Sequence, residues 1–357
     1  MEYALLQAVF LPLLLSPIAY ILGRKMGPTV TTWFTFGVLL YCTFLVIQVA
    51  LSGSYEEHYV WTKLFGEFGF KLDGLAIPFA VIIYVLSTVL ALYSKPYMMH
   101  KFHELYEEHV HHSHSSSGQT TAIVESSEMN SYVKNQSGLY FALYLVFAMG
   151  MLGTVLSTNL IEFYVFFEVM LIPGFFLVAF YGDGPRRRIS LMFLFWTHVG
   201  AVVLLLGFLT IGLSIGSFDF TAISEAKIPQ NILMLAAIAI VVGLGVKLAA
   251  FIFHIWLPYV HGAAPTPISA LLSPAMIGIG AYGIFRLIIE FLPNTYAEMA
   301  IWLHIWGLAT MIYGGAMALM QDDVKRLLAY SSVSQMGYIL FGIGSYSTLG
   351  LAGAEFM

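Results

Sequence analysis

An all-α polytopic membrane protein is the fold class this sequence predicts, and three observations predict it. Of 357 residues, 59% are hydrophobic and only 10% are charged, where a soluble globular chain carries roughly 25% charged residues. Mean hydropathy is +0.83. Apolar runs long enough to cross a bilayer, about 20 residues each, recur from end to end. Length is then no guide to the number of domains, because a bundle of spanning helices grows without adding separate cores.

The runs are placed at Ala4–Leu22, Thr31–Leu51, Leu75–Tyr93, Leu139–Ser157, Ile161–Tyr181, Ile189–Ile211, Ile232–Leu257, Ile268–Leu292, Met299–Met320 and Leu327–Ser345. An eleventh begins at Leu349 and stops at Met357. No basic flank precedes the first run and Arg24 and Lys25 follow it, so it reads as a first span rather than a cleaved signal peptide.

Orientation follows from the lysines and arginines on each side. With the first connection in the cytoplasm, that side receives Arg24, Lys25, Lys95, Lys101, Lys134, Arg186, Arg187, Arg188, Lys325 and Arg326. The other side receives Lys63, Lys71 and Lys227. Ten against three predicts an outside N-terminus and a cytoplasmic Gly182–Arg188 connection. One connection is long: Ser94 to Ser137 carries His100, His103, His109, His111, His112 and His114, then a serine run. A His-rich tract can bind divalent metal. No carboxylate–histidine spacing closes a site here, so the segment reads as a solvated cytoplasmic loop with at most a short helix near Glu104–His109.

A formal net charge of −5 gives no basic surface for nucleic acid. The single cysteine, Cys42, excludes an internal disulfide, a thiolate zinc site and a Cys-ligated iron–sulfur cluster within this chain.

Ionisable groups inside spans are the informative ones, because each must be compensated. Lys247 stands alone in an apolar run that begins near Ile232, and His254 follows at i+7 on the same helical face. Pro258 is expected to end that helix. Glu168 sits mid-span in Phe163–Pro173 with no cation near it in sequence, so a Glu168–Lys247 pair across the fifth and seventh spans is expected. Burial disfavours a charged lysine and a nearby carboxylate restores it, so moving the carboxylate would switch the lysine between holding and releasing a proton. The alternative is a static ion pair that only fixes helix packing. His198, His254 and His304 each fall within a span, and His261 follows Pro258. A lone helical histidine reads first as a satisfied core residue. His254 is favoured as a relay because it shares the Lys247 face, and His261 as a gate to a cytoplasmic entry. Glu162 reads as an interfacial carboxylate. Asp322 and Asp323 suit the N-terminus of the tenth span.

Four stretches carry a resemblance to a known family: Leu72–Phe79, Phe166–Pro173, Lys247–Pro267 with His-Ile-Trp-Leu-Pro and Ala-Pro-Thr-Pro, and Gln321–Gly337 with Lys-Arg-Leu-Leu-Ala-Tyr-Ser-Ser. In order they cover nearly the whole chain. The sequence resembles the antiporter-like, proton-pumping subunits of respiratory complex I, subunit M (the mitochondrial subunit 4 type) in particular. It also resembles relatives in F420H2 dehydrogenases, membrane-bound hydrogenases and multi-subunit sodium/proton antiporters.

The resemblance implies an antiporter-like fold of inverted five-helix repeats with a broken helix seven. It divides the chain into spans one to three (1–93), the polar loop (94–137), a first repeat (138–292) and the start of a second repeat (298–357). It also implies that Glu168 and Lys247 are the key pair, with His254 in the relay. The implied function is proton translocation coupled to an NADH, F420H2 or ferredoxin:quinone oxidoreductase. Quinone, flavin and iron–sulfur clusters are then expected in partner subunits and no redox centre in this chain. Neighbouring antiporter-like subunits and the bilayer are the implied partners, and a prokaryotic plasma membrane, rather than a mitochondrial inner membrane, is the implied location. Two departures stand out. The family pattern places a lysine mid-way along helix eight, where Gly278 stands. The chain also stops at what resembles the start of helix eleven, so the second repeat is expected to be truncated. An antiporter subunit without redox partners and a non-conducting membrane scaffold are the competing readings.

Overall fold

The computed structural model describes residues 3–62, 65–113, 122–226 and 228–357. Helices dominate, as the composition requires: in lipid every backbone N–H and C=O must be satisfied within the segment. In order they are α1 (Ala4–Met26), α2 (Pro28–Ser52), α3 (Ala76–Ser113), α4 (Ala122–Leu156), α5 (Leu160–Val169), α6 (Leu171–Tyr181), α7 (Arg186–Ile215), α8 (Phe220–Glu225), α9 (Gln230–Lys247), α10 (Trp256–Ala263), α11 (Thr266–Leu271), α12 (Gly278–Ile284), α13 (Pro293–Leu319), α14 (Val324–Gly344) and α15 (Thr348–Phe356). Among the described residues, nine segments are long and apolar enough to cross a membrane. The 21-residue α14 matches them in length.

Burial orders these helices. The most apolar windows of α4 and of the Thr266–Glu290 segment are 78% buried, against 28% for α1 and 33% for α7 and α13. The first two therefore form the inner layer and the others the outer wall. α1 packs on α4, α7 on α9 and α13 on α14. Local chemistry sets the boundaries. Gly27, at φ 89°, ends α1 and Pro28 opens α2. Asn159 caps α5 by accepting the Ile161 N–H at 2.8 Å. Asp323 caps α14 by accepting the Arg326 N–H at 2.8 Å, as its position predicted. Pro274 removes a donor from the eighth span, and the chain passes it in a π-turn over Leu272–Met276, with the Ile277 N–H reaching the Leu272 carbonyl at 3.1 Å.

Two features depart from expectation. An antiparallel hairpin, β1 (Tyr55–Thr62) and β2 (Gly66–Leu72), covers one end of the bundle. Its buried Glu57 accepts the N–H groups of Leu5 and Leu6 at 3.1 and 3.0 Å, which satisfies the start of α1. The long polar connection is mostly not a loop: α3 runs on to Ser113 and α4 begins at Ala122. Met98, Phe102 and Leu105 are buried in that extension at i, i+4 and i+7, so an apolar stripe continues into the polar segment and keeps it helical. The side chains of His109, His111 and His112, and His114 itself, lie outside the described residues.

The charge asymmetry is realised as two distinct ends. At one end Lys101 and Lys325 both bind Asp183, at 2.6 and 3.0 Å, and Arg186 binds Glu108 at 3.0 Å. At the other lie the hairpin, Asp219 and an Asp73–Arg286–Glu290 cluster. Lys63 and Lys227 fall outside the described residues.

Candidate functional site

The seventh span breaks in its middle. α9 ends on Lys247, and the chain turns irregularly until Trp256 opens α10. Ala249 and Ile252 take φ 55° and 81°, left-handed values that β-carbons disfavour. The uninterrupted Ile232–Leu257 helix ending at Pro258 is therefore corrected. Lys247 and His254 lie on opposite sides of a break rather than on one helical face, and Pro258 sits inside α10 near its start, where no helical N–H is required of it. Trp256 donates its indole N–H to the Val246 carbonyl at 3.0 Å and fastens the two halves. A Cβ at Gly243 would fall 2.6 Å from the Gly200 carbonyl, so only glycine lets α9 lie this close to α7.

Glu168 is near the C-terminal end of α5. The helix is interrupted at Met170, the turn that Pro173 disturbs by lacking an N–H and crowding the carbonyl four residues back. Lys247 is 1% exposed. Its ammonium lies 4.7 Å from the centroid of the Phe167 ring and has no hydrogen-bond partner. The expected direct Glu168–Lys247 ion pair is not formed, because no carboxylate oxygen comes within 4.0 Å of the ammonium. Instead one Glu168 oxygen is 3.0 Å from Nδ1 of His198, and the other is buried without a partner. The carboxylate thus faces α7, while the Phe167 ring packs against the lysine.

The predicted histidines separate into groups. His254 is 7% exposed, lies face to face with Phe251 at 6.0 Å and packs 4.6 Å from Tyr313, with Nδ1 unpartnered. His261 is 4% exposed; its Nδ1 is 2.8 Å from Ser269 Oγ and its Nε2 has no partner. His198 is joined to the site through Glu168 but presents a half-exposed side chain on the outer face of α7. His304 stands apart: its Nδ1 donates to the Phe341 carbonyl at 3.0 Å and its ring packs on Phe341, which makes it a tie between α13 and α14.

Among the described residues, six buried side-chain polar atoms lack a partner, and four belong to Glu168, Lys247, His254 and His261. Buried polar atoms are normally paired. Three of the four lie between residues 247 and 261, around the break in the seventh span. Gly278, where the resemblance places a lysine, has open space around its Cβ position and lines a cavity of about 120 Å³ with Pro78, Phe79 and Glu355.

Sequence reasoning missed three groups. Glu162 is not interfacial: it is 1% exposed beneath the hairpin and accepts the N–H groups of Gly69 and Thr158, both at 3.3 Å. Arg286 forms a two-pronged pair with Asp73, at 2.6 and 2.8 Å, and also binds Glu290 at 2.7 Å. This fastens the start of α3 to the end of the eighth span. Asp183 joins Lys101 of α3 and Lys325 of α14, and its backbone N–H donates to the Ala263 carbonyl at the end of α10 at 2.7 Å. Burial raises its carboxyl, but the two lysines outweigh that and hold it below the usual carboxylate range. Each partner set spans from 80 to more than 200 residues of sequence, so no local spacing announces it.

Comparison with known proteins finds relatives of this chain in sequence and in fold. Residues 157–357 fit the profile of the family described as NADH:quinone oxidoreductase/Mrp antiporter, TM. The chain is 36% identical over 225 residues to NAD(P)H-quinone oxidoreductase chain 4 3 of Picosynechococcus sp., covering 62% of this chain and 41% of that one. It is 30% identical over 319 residues to NADH-quinone oxidoreductase subunit M of Rickettsia prowazekii, covering 88% and 58%. Over 365 residues it is 28% identical to NAD(P)H-quinone oxidoreductase chain 4 1 of Nostoc sp., covering 99% and 61%. The chain thus spans about 41% to 61% of these relatives' lengths. In fold it is similar to the Mrp complex from Dietzia sp. DQ12-45-1b, with TM-score 0.80 and 25% identity over 98% of this chain and 35% of that one. Respiratory complex I from Thermus thermophilus with bound NADH shares the fold at TM-score 0.78 and 22% identity, over 99% and 67%.

Proposed function

The chain belongs to the NADH:quinone oxidoreductase/Mrp antiporter family of transmembrane proteins, and on that premise we propose that it translocates protons as a membrane subunit of a complex I-like quinone oxidoreductase. One observation carries the reading. Glu168, Lys247, His254 and His261 each keep a buried polar atom without a protein partner, in a bundle whose other buried polar groups are mostly paired. Groups that must give and take protons need a free lone pair or N–H, and water can bridge between them.

The residues divide the work. Lys247 holds a proton in a site too dry to favour the charge for long, steadied by the Phe167 face and by the Glu168 carboxylate. When Glu168 engages His198, as observed, its field on Lys247 is weaker. When it swings toward Lys247, the charged lysine is favoured. His254 and His261, on the far side of the break, receive the released proton. Electron transfer belongs to partner subunits that carry flavin, iron–sulfur clusters and the quinone site. The three arginines of Arg186–Arg188 and their neighbours face the cytoplasm, with the N-terminus outside, in a prokaryotic plasma membrane.

Lys247→Ala, introduced into the assembled complex, tests this. Proton pumping is expected to be lost or sharply reduced at preserved assembly. Pumping at the parental stoichiometry would overturn the assignment. A second reading, a sodium/proton antiporter subunit without redox partners, is favoured by the similarity to the Mrp complex. Exchange of sodium for protons in vesicles lacking any electron donor would select it.

A further inference from the structure

The break between Lys247 and His254 is held open from outside its own helix. Unwound backbone inside a bilayer must find partners, because each unsatisfied N–H or C=O costs several kcal/mol. At Phe251, mid-way along the break, both backbone groups are met by α13. The Phe251 N–H donates to Thr310 Oγ at 3.0 Å, and the Phe251 carbonyl accepts the Trp306 indole N–H at 2.9 Å. Thr310 Oγ donates in turn to the Trp306 carbonyl at 2.7 Å, so its hydrogen is committed and its lone pair faces the break. Tyr313 extends the same α13 face and packs on Phe251 at 5.0 Å and on His254 at 4.6 Å. Residues 306, 310 and 313 recur at i, i+4 and i+7, one stripe of one helix.

The fit is close on the Lys247 side as well. A Cβ at Gly245 would collide with the tip of the Trp306 ring. Two residues before the lysine, α9 therefore rests against the indole that holds the Phe251 carbonyl. Phe251 in turn lies face to face with the His254 ring, at an interplanar angle of 7°. One α13 stripe thus touches both banks of the gap.

We propose that Trp306, Thr310 and Tyr313 are positioning residues that set Lys247 and His254 in register for proton transfer. α13 thereby couples this helix to the proton step. The inference rests on the proton-translocating reading above and adds to it a mechanical input: displacing α13 along its axis moves Phe251, and with it the His254 ring, relative to the lysine.

The test uses the full chain in its assembled membrane complex. Thr310→Val keeps the shape and removes the acceptor, Thr310→Ser keeps the acceptor, and Trp306→Phe keeps a ring without its N–H. Proton uptake into sealed vesicles is divided by electron transfer, and both are normalised to assembled complex. The Val and Phe variants are expected to lower protons moved per electron by about fivefold, the effect of about one net hydrogen bond of misplacement. Thr310→Ser should return the ratio to within about twofold of the parent. A purely structural role would lower pumping and electron transfer together and leave the ratio unchanged, which would overturn the proposal. Lys247→Ala is measured alongside. If it abolishes pumping while Thr310→Val and Trp306→Phe pump like the parent, the positioning role fails and the proton reading stands. If Lys247→Ala pumps like the parent, the proton reading itself fails.

Discussion

Asp73→Asn is expected to loosen the protein at the hairpin end, and the structure sets the size. The Arg286 side chain is 4% exposed and Asp73 17%. Their two hydrogen bonds measure 2.6 and 2.8 Å. Breaking a buried ion pair from one side costs about 3–5 kcal/mol, because a charge is left uncompensated. Asparagine keeps one acceptor oxygen, while Glu290 at 2.7 Å and the Tyr282 hydroxyl at 3.0 Å remain on the guanidinium. The expected loss is therefore about 2–3 kcal/mol. For a chain of this length that corresponds to a fall of about 3–4 °C in the unfolding midpoint, read by tryptophan fluorescence in detergent. Lys71→Ala is the control. Lys71 reaches Asp73 at 3.5 Å from a side chain that is 36% exposed, and such a pair contributes less than about 1 kcal/mol.

The pH dependence gives a second arm. Burial raises the Asp73 carboxyl, but the hydrogen bonds and charge of Arg286 outweigh this and hold it below the usual range. A depressed carboxyl contributes stability that is complete above its unfolded value of about 3.9 and is lost as pH falls below it. The gap between parent and Asp73→Asn should be full at neutral pH and close below about pH 4. A neutral-pH shift under about 1 °C, or a gap that persists unchanged at about pH 3, would refute the reasoning.

Asn159→Ala removes the α5 cap together with hydrogen bonds to the Phe65 carbonyl at 2.6 Å and Asp219 at 2.7 Å. A loss of about 2–3 kcal/mol is expected, and a midpoint equal to the parent's in thermal unfolding would count against it. Gly245→Ala forces the Trp306 ring aside and should cost about 1–3 kcal/mol, whereas Gly278→Ala, whose Cβ meets open space, should be neutral or slightly stabilising; the reverse order in the same assay would refute the packing argument. Cys42 is 0% exposed, so a membrane-permeant maleimide should label it only on unfolding; labelling of the folded protein at the rate of a free thiol would show that α2 is not packed as described.

How much of this was legible in advance differs by residue. The spanning helices follow from the apolar runs alone, and the two charged ends from the placement of lysine and arginine. Lys247 and Glu168 stood out because a charge in an apolar run is costly wherever the helix is placed. The broken seventh helix was expected only from the resemblance of Lys247–Pro267 to a known family. Periodicity argued for one helix through His254, since Leu-Ala-Ala-Phe-Ile-Phe carries no glycine or proline to mark a break. The helical extension of α3 past Ser94 was hidden because histidines and glutamates dominate the composition there, while the few buried residues Met98, Phe102 and Leu105 decide the conformation. The hairpin was overlooked in a short connection, although its alternation of polar and aromatic residues signals strands.

The amino-acid sequence determined by itself that this protein lies in a membrane, how its ends are charged, and which buried groups are costly enough to require a purpose. Only the tertiary structure decided which partners those groups have. Glu168 could have faced Lys247 or another helix, and the fold brings it to His198 of α7. Phe251 could have completed a helical turn, and the Trp306–Thr310 stripe of α13 holds it open instead. The physical reason is the same in both cases. The cost of a buried charge or an unpaired amide is local and can be read from residue type, but the group that meets it arrives from a distant part of the chain, where only three-dimensional packing can bring it.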